Sequence, residues 1–195
     1  MAKLYFHYAT MNAGKSSYLL QANHNYTSQG MRTILLSSAV DTRSGPSRIS
    51  SRLGISAEAT AFDAASDLRT VIGSALSPVS PLRCVFVDEA QFLTAEQVEQ
   101  LACAVDEFSV PVMTYGLRTD FLGRLFPGSE ALFRLADEIR EIRAVCWCGK
   151  RATMVMRIDG SGRQVLAGEA IAVGGDEMYA SVCRSHWFSG DSGRG

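Results

Sequence analysis

An apolar run, a turn of small residues and a helix-forming stretch follow one another without a break in KLYFHYATMNAGKSSYLLQ, and the turn closes on Gly14-Lys15-Ser16. A strand that passes straight into a helix in this way buries its apolar side in a sheet covered by helices, so the segment constrains the fold class before anything else. The pattern G-x-x-x-x-G-K-[ST] of phosphate-binding loops requires its first glycine at position 9, and this chain has Ala9 there. Gly-Lys-[Ser/Thr] arises by chance in about one chain of this size in ten, so context decides. Here the context is a strand before and a helix after, and a helix N-terminus offers unpaired N–H groups and positive dipole to a phosphate. Residues Ala9, Thr10, Met11, Asn12, Ala13, Gly14, Lys15 and Ser16 are therefore the candidate triphosphate loop, with Lys15 reaching the terminal phosphates and Ser16 on Mg²⁺. Alanine at the first position is tolerated if its φ stays negative.

Strand and helix patterns alternate through the first three quarters of the chain, the signature of an α/β fold around a mainly parallel sheet. Strands are expected at 3–9, 32–38, 82–90, 110–117 and 140–146. Helices are expected at 14–30, at 62–76 opening on an Asp cap, at 94–108 behind a Thr cap, and at 129–139. After about residue 145 the texture changes to short alternating strands with glycines at 160, 162, 168, 174 and 175 and no helix. The expected organisation is a domain over 1–145, a smaller one over 146–188, and a disordered tail over 189–195.

A magnesium site opposite the loop needs an oxygen ligand at the end of an apolar strand, and CVFVDEAQF supplies Asp88. Glu89 beside it is placed to accept a proton from an attacking hydroxyl or water; the plainer alternative is a solvated acid. Cys146-Trp-Cys148 and Cys183-Arg-Ser-His186 form a three-plus-one set of thiolates and imidazole that suits closed, tetrahedral, structural Zn²⁺. The alternative for these four is reduced core cysteines and a satisfied histidine. Cys84 and Cys103 read as core residues.

The 195 residues carry a net charge of -1 and are 47% hydrophobic. That charge gives no bulk attraction to nucleic acid or anionic lipid. No stretch reaches the roughly 18 apolar residues of a spanning helix, and the first residues lack a signal peptide's apolar core. A cytoplasmic protein without membrane or nucleic-acid partner is expected. Five cysteines, an odd number, do not make a closed disulfide framework.

Taken together, LYFHYATMNAGKS, DEAQF, YGLRTDF and GGDEMYASVCRSHW resemble the type II thymidine kinases in their bacterial form, over nearly the whole chain. The resemblance implies a P-loop (RecA-like) sheet with helices on both faces, plus a small C-terminal zinc ribbon carrying a lasso loop. It implies transfer of the ATP γ-phosphate to the 5'-hydroxyl of thymidine, with Glu89 as general base. Asp88, Glu89, Ala90 and Gln91, and Asp41, Thr42 and Arg43, match further ATP-contacting segments. The lasso corresponds to about Ile158 to Tyr179, with Ala170, Ile171, Ala172, Val173 and Gly174 on the base and Tyr179 against the nucleoside. Met11, Leu117, Phe121 and Phe126 match apolar positions of the base pocket; without the resemblance, core packing explains each of them. The family is usually a homotetramer inhibited by dTTP.

Two other classes fit single features. DEAQ resembles a helicase box, but 195 residues leave no room for a second motor domain. A zinc ribbon can bind nucleic acid, but beyond Cys148 the basic residues are dispersed among Asp159, Glu169, Asp176 and Glu177.

Overall fold

The computed structural model describes residues 1–41, 47–168 and 178–193. Among them, six strands form the central sheet: β1 (Leu4–Ala9), β2 (Arg32–Ser38), β5 (Thr60–Phe62), β6 (Leu82–Asp88), β7 (Val112–Leu117) and β8 (Glu138–Glu141). Their spatial order is β5-β2-β6-β7-β1-β8, and every pairing is parallel. This is the P-loop type of α/β sheet expected. Because β7 lies between β1 and β6, the loop after β1 and the acids ending β6 face each other across one strand.

Buried strands have two apolar faces, which is why β6 reads as an unbroken apolar run. Val85 and Val87 join a core with Leu4, Phe6 and Leu36, covered by α2 (Leu68–Ser74), α3 (Ala95–Phe108) and α4 (Pro127–Leu135) through Leu68, Ile72, Leu101 and Leu132. Cys84 and Phe86 face the other way, under Leu19 and Leu20 of α1 (Lys15–Thr27). The hairpin β3 (Arg48–Ser50) and β4 (Ser56–Glu58) adds Ile49 to that second face.

Several boundaries differ from expectation, each for a local reason. Phe62 ends β5, so the helix expected from 62 begins at Leu68. Its cap is Asp67, which accepts from the Thr70 N–H at 3.0 Å, while Asp63 is spent on a turn with Ala65 and Ser66. The Thr94 cap holds, as a reciprocal box with Gln97 at 3.1 Å in both directions. The helix expected to reach residue 139 ends at Leu135, and the strand expected over 140–146 divides into β8 and β9 (Ala144–Val145). The β3–β4 hairpin and β5 had no expectation.

Beyond the sheet, β9 pairs with β10 (Arg151–Ala152) and β11 (Met154–Arg157) with β12 (Tyr179–Val182), both antiparallel. The absence of a helix expected after residue 145 is corrected by α5 (Arg184–Ser189), which places His186 one turn after Cys183. The tail expected to start at 189 thus begins inside that helix, and the Asp191 N–H donates back to the His186 carbonyl.

Candidate active site

Ala9 is the buried last residue of β1, paired in register with Leu117 at the end of β7. The backbone turns after it, with left-handed φ at Asn12 (61°) and Gly14 (83°), so the loop needs no glycine at position 9. The Thr10 hydroxyl is buried with no hydrogen-bond partner among the described residues. Ala13 packs on the core beneath α1, and the Asn12 Oδ1 accepts from Arg52 at 2.6 Å. The N-cap residue of α1 is Gly14, which has no side chain to cap the helix, and first-turn N–H groups left in this way suit an anion. Lys15, only 8% exposed, starts the helix.

The Ser16 hydroxyl donates to Asp88 Oδ2 at 2.9 Å, bringing loop and strand-end acid together as the sequence predicts. Asp88 Oδ1 accepts from the Glu89 N–H at 3.0 Å. Burial, then the neighbouring Glu89 charge, push the Asp88 carboxyl up to about 6, against the pull of Lys15 and the Ser16 hydrogen bond. A magnesium ion would share its charge with Ser16 and Asp88, and the hard oxygen pair fits that ion.

Glu89 has φ 50° and opens a single 3-10 turn, Ala90–Phe92. A left-handed non-glycine residue costs about 1–2 kcal/mol, so the turn must be tied to its surroundings. Gln91 does this: its Nε2 donates to the Glu89 carboxylate, and its Oε1 accepts from the Leu117 N–H at 2.9 Å. Two glycines allow neighbouring elements to close on the turn. A Cβ on Gly116 would lie 2.9 Å from the Gln91 nitrogen, and one on Gly128 would lie 2.6 Å from the carbonyl oxygens of Ala90 and Leu93.

Met11, Phe121 and Tyr179 meet in one apolar cluster with Leu122 and Val155, and the Arg157 guanidinium lies 5.4 Å from the Phe121 ring centre. Phe126 is elsewhere, at the start of α4 with its ring 6.1 Å from that of Phe92. Leu117 adjoins Gln91 through its backbone. Asp41 follows β2, its N–H on the Ser38 carbonyl at 3.0 Å. Thr42 and Arg43, and Ala170, Ile171, Ala172, Val173 and Gly174, lie outside the described residues. Sequence reasoning missed Ser181 and Trp187, whose contacts cross from the C-terminal segment to the loop and the pocket. The strand alternation that carries Tyr179 toward the pocket was the available signal for Ser181.

The ligand atoms of Cys146, Cys148, Cys183 and His186 all lie within 4.8 Å of one another. Cys146 Sγ is 3.3 Å from His186 Nδ1. Burial opposes ionisation of the Cys146 thiol, but the Cys148 N–H, the His186 ring and the Cys183 N–H outweigh it and bring the thiol down to about 6. A ready thiolate among soft donors fits zinc. The His186 ring stacks on Trp147, centres 4.4 Å apart.

The family model described as thymidine kinase matches residues 2–187. The thymidine kinase of Ruegeria pomeroyi is 56% identical over 195 residues, covering 99% of this chain and 98% of that one. That of Agrobacterium fabrum is 54% identical over 187 residues, 96% of each chain, and that of Rhizobium meliloti is 55% identical over 188 residues, again 96% of each. A match that runs from the first strand to the residue after the last cysteine-cluster ligand takes in sheet, loop, acids and metal set together, and by it the chain belongs to the thymidine kinase family.

Proposed function

We propose that the protein transfers the γ-phosphate of ATP to the 5'-hydroxyl of thymidine, giving dTMP and ADP for nucleotide salvage. The observation that carries the reading is the hydrogen bond from Ser16 to Asp88 across β7, with Glu89 next in the chain. The loop from Ala9 to Ser16 holds the triphosphate, its open helix N-terminus and Lys15 meeting the phosphate charge. Ser16 and Asp88 would hold Mg²⁺, which would supply neutralising charge at the phosphates. Glu89 takes the proton from the 5'-hydroxyl as oxygen attacks phosphorus, and its strained backbone and the Gln91 amide fix the carboxylate. Met11, Phe121 and Tyr179 form the apolar wall on the nucleoside side, and Leu117 and Phe126, which lie outside that cluster, are the further base-pocket positions that the family resemblance implies. The segment 170–174 reads the base, and residues 41–43 add contacts to ATP.

The metal set is a closed structural zinc site that anchors the lasso from about Ile158 to Tyr179, within a second domain over 146–188 beside the kinase domain over 1–145. Excluding water from the transferred phosphoryl group keeps such an enzyme from acting as an ATPase, and a glycine-rich lasso on a rigid base serves that end. No helix among the described residues is long and apolar enough to cross a membrane; the proposed location is the cytoplasm, where nucleotide salvage takes place. A homotetramer inhibited by dTTP completes the proposal. The test is ADP release against a panel of nucleosides, with DNA as comparator: release driven by thymidine is expected, and release driven by DNA alone overturns the reading.

A further inference from the structure

The strand β12 serves two parts of the molecule at once. Ala180 and Val182 turn into the small core around Cys146 and Cys183, so by strand alternation Tyr179 and Ser181 share the opposite face. Tyr179 joins Met11 and Phe121. The half-buried Ser181 donates its hydroxyl to the carbonyl of Met11 at 2.5 Å, across 170 residues of sequence. Met11 is thus held at both ends, its side chain by Tyr179's cluster and its carbonyl by Ser181.

In a loop that binds phosphate through backbone N–H groups, the carbonyls must point away and find donors elsewhere. The Met11 carbonyl and the Asn12 N–H belong to one rigid peptide plane and point in opposite directions. Fixing the carbonyl on Ser181 therefore fixes where the Asn12 N–H points, at the loop's one left-handed residue other than glycine (φ 61°). Two residues beyond Ser181 stands Cys183, of the metal set, so the donor itself rests on an anchored strand.

We propose that Ser181 is a positioning residue for the phosphate loop, tying the orientation of the Met11–Asn12 peptide, and with it ATP affinity, to the metal-anchored strand β12. This deepens the reading of residues 9–16 as the triphosphate loop and rests on it. Ser181→Ala removes the donor and leaves the Met11 carbonyl without its partner.

The test measures ATP and thymidine KM, kcat, equilibrium ADP binding, zinc content and Tm for the wild type, Ser181→Ala, Ser181→Thr and Ser181→Val. Loss of one neutral hydrogen bond corresponds to about a three- to tenfold rise in ATP KM and ADP Kd. The thymidine KM and zinc content are expected to stay at wild-type values, and Ser181→Thr to restore ATP affinity where the near-isosteric Ser181→Val does not. Should Ser181→Ala fail to fold, the Thr and Val pair reads the same hydroxyl. Equal ATP affinity in Thr and Val variants, or a rise confined to thymidine KM with loss of zinc, overturns the proposal. A wild type that binds no ADP overturns the underlying loop assignment instead.

Discussion

Gln91 grips the Glu89 carboxylate through its Nε2 and the Leu117 N–H through its Oε1, so the end of β7 and the proposed base are locked by one amide. Sequence resemblance placed Gln91 among the ATP contacts, yet both ends of its buried side chain are engaged within the protein. Gln91→Leu is expected to lower kcat about ten- to hundredfold through misplacement of Glu89, with ATP KM within about twofold of wild type. Steady-state kinetics check this, and a rise in ATP KM at unchanged kcat would instead show Gln91 acting on the nucleotide.

Glu89→Gln keeps the size of the side chain and one accepting oxygen but cannot take a proton at neutral pH. The expected loss in kcat is about two to four orders of magnitude, with ATP binding little altered. Binding measured separately from turnover distinguishes the two acids: if Glu89→Gln abolishes Mg-ATP binding while kcat at saturation stays normal, Asp88 and Glu89 have exchanged roles.

Asp88 gives an opposite-signed pair of effects. Its carboxyl, raised to about 6 by burial and by Glu89, holds a proton more readily in the folded than in the unfolded chain between about pH 4 and 6. The folded state therefore loses stability as pH rises through that window, and the full loss is present at pH 7. Asp88→Asn should raise the Tm of magnesium-free protein at pH 7, by about 1–3 kcal/mol in stability, while Mg-ATP turnover collapses. Melting curves at pH 4 and pH 7 check the sign, since the gain vanishes at the lower pH.

Zinc analysis of freshly purified protein is expected to give about one ion per chain, and Cys183→Ser to lose it. Because ligand binding energy in such sites is folding energy, the variant should lose protection from proteolysis around β11, β12 and α5 while the sheet persists. Protein purified without zinc, yet equally protected, would contradict the assignment.

The parts of the fold most legible in the sequence were those with a strong period or a cap. The apolar run of β6, the Thr94 box and the Gly14-Lys15-Ser16 turn each carry their own local cause. The β3–β4 hairpin was illegible because Arg48–Ser50 and Ser56–Glu58 are three-residue strands that bury little besides Ile49 and part of Ala57. The short α5 was hidden for a similar reason, since six residues with no buried side chain show no helical stripe. At the site, Asp88 and Glu89 could be found from position alone. Their support could not: the partners of Glu89 and Met11 are set by register between distant strands, which no single stretch records.

Both tryptophans of the chain, Trp147 and Trp187, sit beside members of the metal set, and the sheet contains none. Trp147 is half open to solvent against the His186 ring, while the indole of Trp187 donates to the Phe121 and Val155 carbonyls at 3.1 Å. Near-ultraviolet emission excited at the indole band is thus a local signal from one end of the molecule, and far-ultraviolet dichroism is dominated by the other. Denaturation followed by the two optical methods yields coincident curves if the ends melt as one unit and displaced curves if they do not, so the chain carries its own pair of unlabelled probes of cooperativity.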